Sequence, residues 1–276
     1  MRYLIYDNVH AGAGIGHTFY SYHWGYKLAK LNDLDLNSVL VNSSVRDFNV
    51  YGSYERFFGL DVKNKKRQQI LDDDTIKKVI VPSSKNKQDH HTFIQNYPYE
   101  DGMCFHVQMD GGTVGYNSCG EFDQTIDELK SRYRQARSND HIESHIDKNY
   151  INVAIHIRRG NIMYSEKLRE YRLCTDQSCI DTFNSFKQTT KSPIRLNIYT
   201  ESRDGVYVNE NLERSDIVDK FNHDNIYLYM DGSVLVSFDN IVNSDVIMHG
   251  NSAFSEVALA LSDAKESYRI KNISGY

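Results

Sequence analysis

The sequence predicts an α/β protein in which each half of the chain forms a parallel sheet with helices on both faces. In the first half, a short strand at Arg2–Tyr6 is followed by a glycine-rich turn and a helix with apolar periodicity, Thr18–Leu31. In the second half, the alternation of strands and helices starts again with a buried strand at Ile151–Ile157. Such alternation is typical of parallel sheets whose crossover helices cover both faces. The 276 residues suffice for two domains, which we place at residues 1–145 and 146–276.

The other elements of the first half are predicted from short apolar runs that end at turn residues. The predicted strands are Ser38–Val41, Lys78–Pro82 and Cys104–Met109, and the second predicted helix is Phe122–Arg137. Loop and short helix are predicted over Phe48–Val62, and a polar linker over Ser138–Asp147. The lysine-rich run Lys63–Arg67 is interpreted as a solvated loop, because a run of aspartates follows it.

The second half repeats the alternation after its first strand. Further strands are predicted at Arg195–Thr200, Ile226–Tyr229 and Asp245–His249. Helices are predicted at Ser178–Thr189, Glu210–Asn222, Ser233–Asn243 and Phe254–Ser262. Because a helix separates most neighbouring strands, this sheet is also expected to be parallel.

Composition and charge indicate an ordinary globular protein. Hydrophobic residues make up 40% and charged residues 25% of the chain, and the formal net charge is −5. A negative chain does not favour nucleic acid as a partner. No apolar stretch approaches the ~20 residues that span a membrane, and no signal peptide is visible, so we expect a soluble cytoplasmic protein or a fragment cut free of an anchor. The four cysteines lack C-x-x-C spacing, which argues against a zinc site.

The segment Tyr150–Asn161 carries the strongest functional signal. Its apolar run leads directly into His156, Arg158 and Arg159. Arginine is costly to bury without a partner, and its planar fork of donors suits carboxylate or phosphate. Two arginines at the carboxyl end of a strand, where open α/β sheets bind ligands, indicate a diphosphate site. Two structural ion pairs to nearby Asp or Glu residues are the alternative, and the segment alone leaves both interpretations open.

A glycine-rich loop with Gly12, Gly14, Gly16 and His17 connects the first strand to the first helix. Backbone amides at such a helix N-terminus can bind an anion. The spacing is not that of the dinucleotide fingerprint, because the third glycine comes one residue too early. Close backbone packing explains such a turn about as often as ligand binding does.

A second turn of interest lies near the C-terminus. Asp245 precedes a buried strand, and the turn that follows the strand contains Asn251 and Ser252. Ser252 or Ser255 can cap the next helix, which is the structural interpretation. The same hydroxyls and the helix amides can instead form a second phosphate site, and the two arginines make that interpretation credible.

In combination, these segments resemble the fucosyltransferase superfamily, which includes the α1,2- and α1,6-enzymes and the rhizobial nodulation fucosyltransferases. Its first motif, His-x-Arg-(Arg/His)-Gly-(Asp/Asn), is matched by His156, Arg158, Arg159, Gly160 and Asn161. Its late motif is matched by Asp245 and by the run Ser252, Ala253, Phe254 and Ser255. The glycine-rich opening is similar as well, so the resemblance touches three separated segments in the right order.

The resemblance implies a GT-B architecture, with two facing Rossmann-like domains. The N-terminal domain would be the acceptor side, and the C-terminal domain would bind a nucleotide-sugar donor, typically GDP-fucose. The acceptor would be a glycan hydroxyl. Transfer would proceed with inversion and would need neither a metal ion nor a cofactor.

The resemblance also implies roles for side chains on the donor side. Arg158 would hold the diphosphate, and Arg159 would help it or orient the loop. Ser252 and Ser255 would donate hydrogen bonds to phosphate or sugar hydroxyls. His156 would support the loop rather than act as a base.

A proton acceptor is expected at Glu166, shortly after the arginine motif, with Glu170 close to it in sequence. Asp7 and His17 are rival bases from the first domain. Glu201 follows a strand of the donor domain, where it can contact the ribose or the nucleobase of the donor.

The same sequence leaves two other functions open and disfavours a third. The same fold can use another donor, for example a UDP-pentose such as UDP-xylose. A non-catalytic nucleotide-sugar or glycan-binding protein can share the scaffold. A P-loop phosphoryl-transfer enzyme is disfavoured, because the pattern G-x-x-x-x-G-K-[ST] is absent from the sequence.

Overall fold

The computed structural model describes residues 1–7, 14–37, 54–60, 64–82, 87–108, 125–138, 140–159, 162, 166–201 and 217–272. The chain divides into two compact units, Met1–Asp140 and His141–Tyr276, which we call unit 1 and unit 2. Each unit has a parallel sheet of its own. No helix among the described residues is long and apolar enough to cross a bilayer.

Unit 1 alternates strands and helices along the chain. Its strands are β1 (Tyr3–Asp7), β2 (Asp35–Leu36), β3 (Lys77–Val81) and β4 (Met103–Gln108). Its helices are α1 (Ile15–Leu31), α2 (Tyr54–Phe58), α3 (Asn64–Asp72), α4 (Lys87–Asn96) and α5 (Thr125–Arg137). The predicted strand Ser38–Val41 lies outside the described residues.

The strands of unit 1 are arranged in the order β2-β1-β4-β3. Alternate residues of each strand face opposite sides of the sheet. Leu4 and Phe105 belong to one apolar cluster, whereas Ile5 and Cys104 pack with Ile70 of α3 in another. The carboxyl ends of β1 and β4 therefore lie side by side, with α3 covering one face.

Helix α3 corrects the interpretation of the lysine-rich run as a solvated loop. The helix spans Asn64–Asp72, and Ile70 is only 3% exposed. Arg67 forms an ion pair with Asp7, the last residue of β1. The charges of the run suggested a solvated loop, because the sequence does not show that its arginine pairs with a distant aspartate.

Unit 2 is built in the same way. Its strands are β5 (Ile151–Ile157), β6 (Ile194–Thr200), β7 (Ile226–Met230), β8 (Val246–His249) and β9 (Glu266–Arg269). Its helices are α6 (Glu166–Arg172), α7 (Asp176–Lys187), α8 (Val234–Val242) and α9 (Ala253–Leu261), and a 3₁₀ turn spans Asp219–Phe221. The polar strand β9 has no apolar run and was not predicted.

The sheet of unit 2 has the order β7-β6-β5-β8-β9. The chain runs outward from β5 to β6 and β7, and then returns to β8 on the other side of β5. This reversal is a topological switch point, beside which open α/β sheets bind ligands at the carboxyl ends of their strands. Apolar residues of β5 and β6 pack against α7 on one face, and α8 contacts β5.

Asp245 joins two strands at the amino end of this sheet. Its Oδ2 accepts hydrogen bonds from the backbone amide of Asn152 at 3.0 Å and from Asn152 Nδ2 at 3.3 Å. Asn152 is 1% exposed, so its amide has little access to water. Asp245 thus fixes the start of β8 against the start of β5.

We expect Asp245→Ala to lower the free energy of unfolding by about 1–3 kcal/mol, because a buried amide loses its acceptor. Urea denaturation measures the change. Asp224→Ala is the matched control, since Asp224 is exposed and its removal should change stability by no more than about 0.5 kcal/mol. Equal stabilities for the two variants would contradict this structural role.

Candidate functional site

Most of the predicted donor-site residues lie at the carboxyl end of the unit 2 sheet. Ile157 and Thr200 are paired in the register of β5 and β6, and Arg158 and Glu201 directly follow them. Arg158 Nη1 donates to Glu201 Oε1 at 2.7 Å. The two side chains are 25% and 36% exposed, so this ion pair remains partly open to solvent.

Arg159 is held more tightly than Arg158, by two main-chain carbonyls and a carboxylate. Its Nη1 donates to the carbonyl oxygens of Arg158 and Cys174, at 3.1 and 2.9 Å. Its Nη2 donates to Asp176 Oδ1 at 2.7 Å. Only 8% of its side chain is exposed. Arg159 therefore fixes the loop around the end of β5, and Arg158 is the arginine that a ligand can reach.

Asp176 and Cys174 are positioning residues that the sequence did not single out. Asp176 begins α7 and bridges two cations, since its Oδ2 is also 3.0 Å from Lys220 Nζ. Cys174 is a buried free thiol. A Cβ atom at Gly250 would lie 2.5 Å from Cys174 Sγ, so only glycine fits there. A sequence feature that could have pointed to Asp176 is the helix start at Thr175, whose hydroxyl caps α7.

His156 is a buried, neutral side chain. Burial, together with the charges of Arg158, His249 and Arg159, lowers its pKa to about 3. Its ring lies 4.8 Å from that of Phe254, between centroids. An imidazole with so low a pKa binds protons poorly, which suits the predicted supporting role. Its Nδ1 is buried and has no hydrogen-bond partner among the described residues.

The turn after β8 meets the same edge of the sheet. His249, the last residue of β8, is beside His156 in the register. Ser252 precedes α9 and its side chain makes no capping hydrogen bond, so its hydroxyl is the better placed donor for a ligand. Ser255 is fully buried and donates to the Ser252 carbonyl at 3.2 Å. Asn251 donates to the carbonyl of Tyr171 at 3.3 Å, which attaches the turn to the end of α6.

Asp245 does not join this group, and its predicted part in donor binding is corrected. It lies before β8, at the amino end of the strand, whereas the arginines follow the carboxyl end of β5. Parallel strands place these two positions at opposite edges of the sheet. Its hydrogen bonds to Asn152 and its ion pair with Lys265 are structural.

The remaining predicted residues are placed as follows. Glu166 is the first residue of α6, and its side chain is exposed. Gly14 is an exposed N-cap of α1, where an added Cβ would meet nothing within 4 Å, so close packing does not require glycine there. Gly16 is buried in α1, and His17 is half-buried on the same helix. Gly12, Gly160 and Asn161 lie outside the described residues.

Within the described ranges, no three His, Cys, Asp or Glu side chains are grouped so that they could hold a metal ion. The guanidinium of Arg158 lies next to the switch point. Together with the Ser252 hydroxyl and the first amides of α9, it gives this edge of the sheet groups that can bind an anion.

Comparison with known proteins supports the fold. No protein-family model and no curated protein matches the sequence. The crystal structure of POFUT1 in complex with GDP is similar over 97% of this chain and 98% of that chain, with 8% identity and a TM-score of 0.50. This likeness confirms the predicted fold class, α/β of the GT-B type with two parallel sheets.

Two further solved structures are similar at lower TM-scores. A family 9 glycosyl transferase from Veillonella parvula is similar over 94% of this chain and 78% of that chain, with 10% identity and a TM-score of 0.42. The E. coli heptosyltransferase WaaC with ADP-2-deoxy-2-fluoro heptose is similar over 100% and 96% of the two chains, with 8% identity and a TM-score of 0.43.

Replacing Asp176 tests the support of Arg159. We expect Asp176→Ala to destabilise the protein by about 2–3 kcal/mol, because a buried guanidinium loses a charged hydrogen-bond partner. Lys220→Ala is the control. Lys220 is 47% exposed, so its ion pair should contribute no more than about 1 kcal/mol. Urea denaturation of both variants measures the difference, and a larger loss in Lys220→Ala would refute the assignment.

The buried state of His156 predicts a pH dependence of stability. Between its folded pKa of about 3 and the ordinary value of 6.5, the unfolded chain binds a proton that the folded ring does not. Stability should therefore rise with pH across this window and change little above it through this residue. We expect a steeper rise for the wild type than for His156→Gln in urea denaturation. Parallel curves would show that the ring titrates normally.

Proposed function

We propose that the protein is an inverting, metal-independent glycosyltransferase that transfers a sugar from a nucleotide-sugar donor to a glycan hydroxyl. L-Fucose from GDP-fucose is the default donor sugar. The observation that carries this proposal is Arg158, partly exposed at the switch point of a GT-B fold, within the motif that resembles fucosyltransferases. POFUT1, whose fold is similar, was crystallised with GDP, which supports a guanine nucleotide as the first donor to test.

The chemistry follows from the leaving group. Negative charge grows on the β-phosphate as the glycosidic bond to the nucleoside diphosphate breaks. Without a metal ion, fixed cations and amide donors must stabilise that charge. Arg158 supplies the cation in this proposal, and Ser252 and the N-terminus of α9 supply further donors.

Arg159 acts through Arg158 rather than on the donor. It donates to the main-chain carbonyl of Arg158 and is itself held by Asp176. Glu201 accepts a hydrogen bond from the Arg158 guanidinium, which orients that side chain for the donor. Pre-organised charge of this kind loses little free energy to rearrangement when the substrate binds.

The acceptor hydroxyl has to lose a proton during transfer. Glu166 is the base that the fucosyltransferase resemblance supplies, and it is exposed at the start of α6. Glu166→Gln should lower the rate of transfer and leave donor binding unchanged, since a general base contributes to transfer and not to donor binding.

Nucleotide binding tests the proposal. We expect GDP and GDP-fucose to raise the melting temperature without Mg²⁺, by an amount equivalent to about 2.7 kcal/mol at 100 times the dissociation constant. UDP and UDP-xylose are the comparison ligands, so the panel also identifies the nucleobase of the donor. Arg158→Ala should abolish the shift.

Lys191→Ala is the control for loss of a positive charge, because Lys191 is exposed before the amino end of β6. It should keep the full shift. A shift with UDP ligands alone would replace the proposed donor. If no nucleotide stabilised the wild type, the glycosyltransferase proposal would be wrong. Binding without any transfer to a glycan array would favour the non-catalytic alternative.

A further inference from the structure

One face of the unit 2 sheet contains a cluster of aromatic side chains around Arg195. Arg195, Asn197 and Tyr199 alternate along β6 and therefore share a face of the sheet. β7 places Tyr227 and Tyr229 beside them in the register. The apolar residues between these positions point to the other face, where they pack with α7. Because β7 is the outermost strand in the sheet order, the cluster lies at the side of unit 2.

An aromatic ring and two long hydrogen bonds hold the Arg195 side chain. Its Cζ atom lies 3.7 Å from the centroid of the Tyr227 ring, which is a cation–π contact. Its Nε donates to Asn197 Oδ1 at 3.3 Å, and its Nη2 donates to the Tyr229 hydroxyl oxygen at 3.4 Å. Both acceptors are neutral, and hydrogen bonds between charged groups are shorter, at ~2.7–2.9 Å. The guanidinium is thus oriented while much of its capacity to donate remains unused.

Arg195 forms no ion pair with any residue in the described ranges. This distinguishes it from a structural arginine such as Arg159, which pairs with Asp176 at 2.7 Å. Glu143 is a carboxylate beside the cluster, but it is 78% exposed and its Oε1 lies 3.8 Å from His145 Nε2. The positive charge of Arg195 is therefore not neutralised by a contacting carboxylate of the described residues, which favours an anionic ligand.

Ring stacking fixes the tyrosine that accepts the second hydrogen bond from Arg195. The His145 and Tyr229 rings lie 3.6 Å apart between centroids and are 3° from parallel. The Tyr199 ring is also stacked on Tyr229, at 5.2 Å and 15°. The Tyr229 hydroxyl is therefore held in place, and with it the guanidinium. A group that is ordered before binding loses less conformational entropy when the ligand arrives.

The chemistry of the exposed groups indicates which anion fits. A planar guanidinium binds a carboxylate through two parallel hydrogen bonds. Tyr227 is 37% exposed, so an aromatic surface accompanies the guanidinium of Arg195. A tyrosine offers an apolar ring face and a polar tip, which suit the C–H groups and hydroxyls of a sugar. A sugar that carries a carboxylate matches both groups, whereas a simple anion such as phosphate matches only the guanidinium.

This cluster is separate from the proposed donor site within unit 2. Arg195 is the second residue of β6 and lies near its amino end, whereas Glu201 follows its carboxyl end. Six residues of a strand span ~20 Å. A ligand at Arg195 therefore does not occupy the position proposed for the nucleotide.

We propose that Arg195 and Tyr227 form a second binding site, which takes the carboxylate-bearing sugar of an acidic glycan. The carboxylate accepts hydrogen bonds from the Arg195 guanidinium, and the sugar ring packs against Tyr227. The site binds and does no chemistry. The choice of a glycan as the source of the acid rests on the proposed glycosyltransferase function, whereas the anion site rests on the geometry of Arg195.

Isothermal titration calorimetry with two matched hexasaccharides tests the site. The acidic probe alternates glucuronate with N-acetylglucosamine, and the neutral probe is the same hexasaccharide with its carboxyl groups reduced to alcohols. We expect the acidic probe to bind and the neutral probe to bind at least ~10-fold more weakly, because hydrogen bonds to charged groups are stronger than those to neutral groups.

Substitutions then locate the binding. Arg195→Gln should weaken the acidic probe at least ~10-fold, and Tyr227→Ala should weaken it about fivefold through loss of the ring contact. Lys191→Ala is the control for loss of a nearby positive charge, because Lys191 is exposed four positions before Arg195. It should keep the dissociation constant within about twofold. Since Tyr227 is exposed at an outer strand, Tyr227→Ala still decides if Arg195→Gln fails to fold.

Equal binding of the two hexasaccharides, or acidic binding that Arg195→Gln and Tyr227→Ala leave unchanged, would overturn the site. If inorganic phosphate bound through Arg195 and the acidic hexasaccharide did not bind, the assignment to a sugar would be wrong. GDP binding, measured on the same variants, separates this inference from the proposed function. Arg195→Gln should keep the full GDP-induced shift in melting temperature. Wild-type protein that bound the acidic hexasaccharide but no nucleotide would overturn the function and leave this site standing, and the reverse result would overturn only the site.

Discussion

The candidate site depends on the need to pair a buried guanidinium at the end of a buried strand. Arg159 follows β5 directly and is almost fully enclosed, so its charge must be met by protein groups. Asp176 supplies the counter-charge, and the carbonyl of Cys174 supplies a further acceptor. Because Gly250 packs against Cys174, the same pairing also fixes the turn after β8. Two loops from different strands are thus joined around one side chain.

The two adjacent arginines consequently have different roles. Arg159 is built into the scaffold, whereas Arg158 lies at the edge of the sheet and forms a partly exposed ion pair with Glu201. Because solvent screens the attraction of a partly exposed ion pair, a ligand can rearrange this one at a smaller cost than a buried pair. The sequence posed diphosphate binding and structural ion pairing as alternatives. The geometry instead supports scaffolding for one arginine and ligand access for the other.

Much of the fold could be predicted from the chain itself, because buried parallel strands give clear apolar runs. β5 was predicted with its observed bounds, Ile151–Ile157. Contacts between distant residues could not be predicted. Arg67 reaches Asp7 across 60 positions, so its helix was mistaken for a loop. The resemblance to the late fucosyltransferase motif groups Asp245 with the donor site, yet the four residues of β8 place it at the opposite edge of the sheet from Ser252.

A crystal structure with GDP, grown without metal ions, tests the central claim most directly. The account predicts that the β-phosphate contacts the Arg158 guanidinium and the N-terminus of α9, while Arg159 keeps its hydrogen bonds to Asp176 and Cys174. A nucleotide bound elsewhere in the protein, or a phosphate that displaced Asp176 from Arg159, would contradict the account.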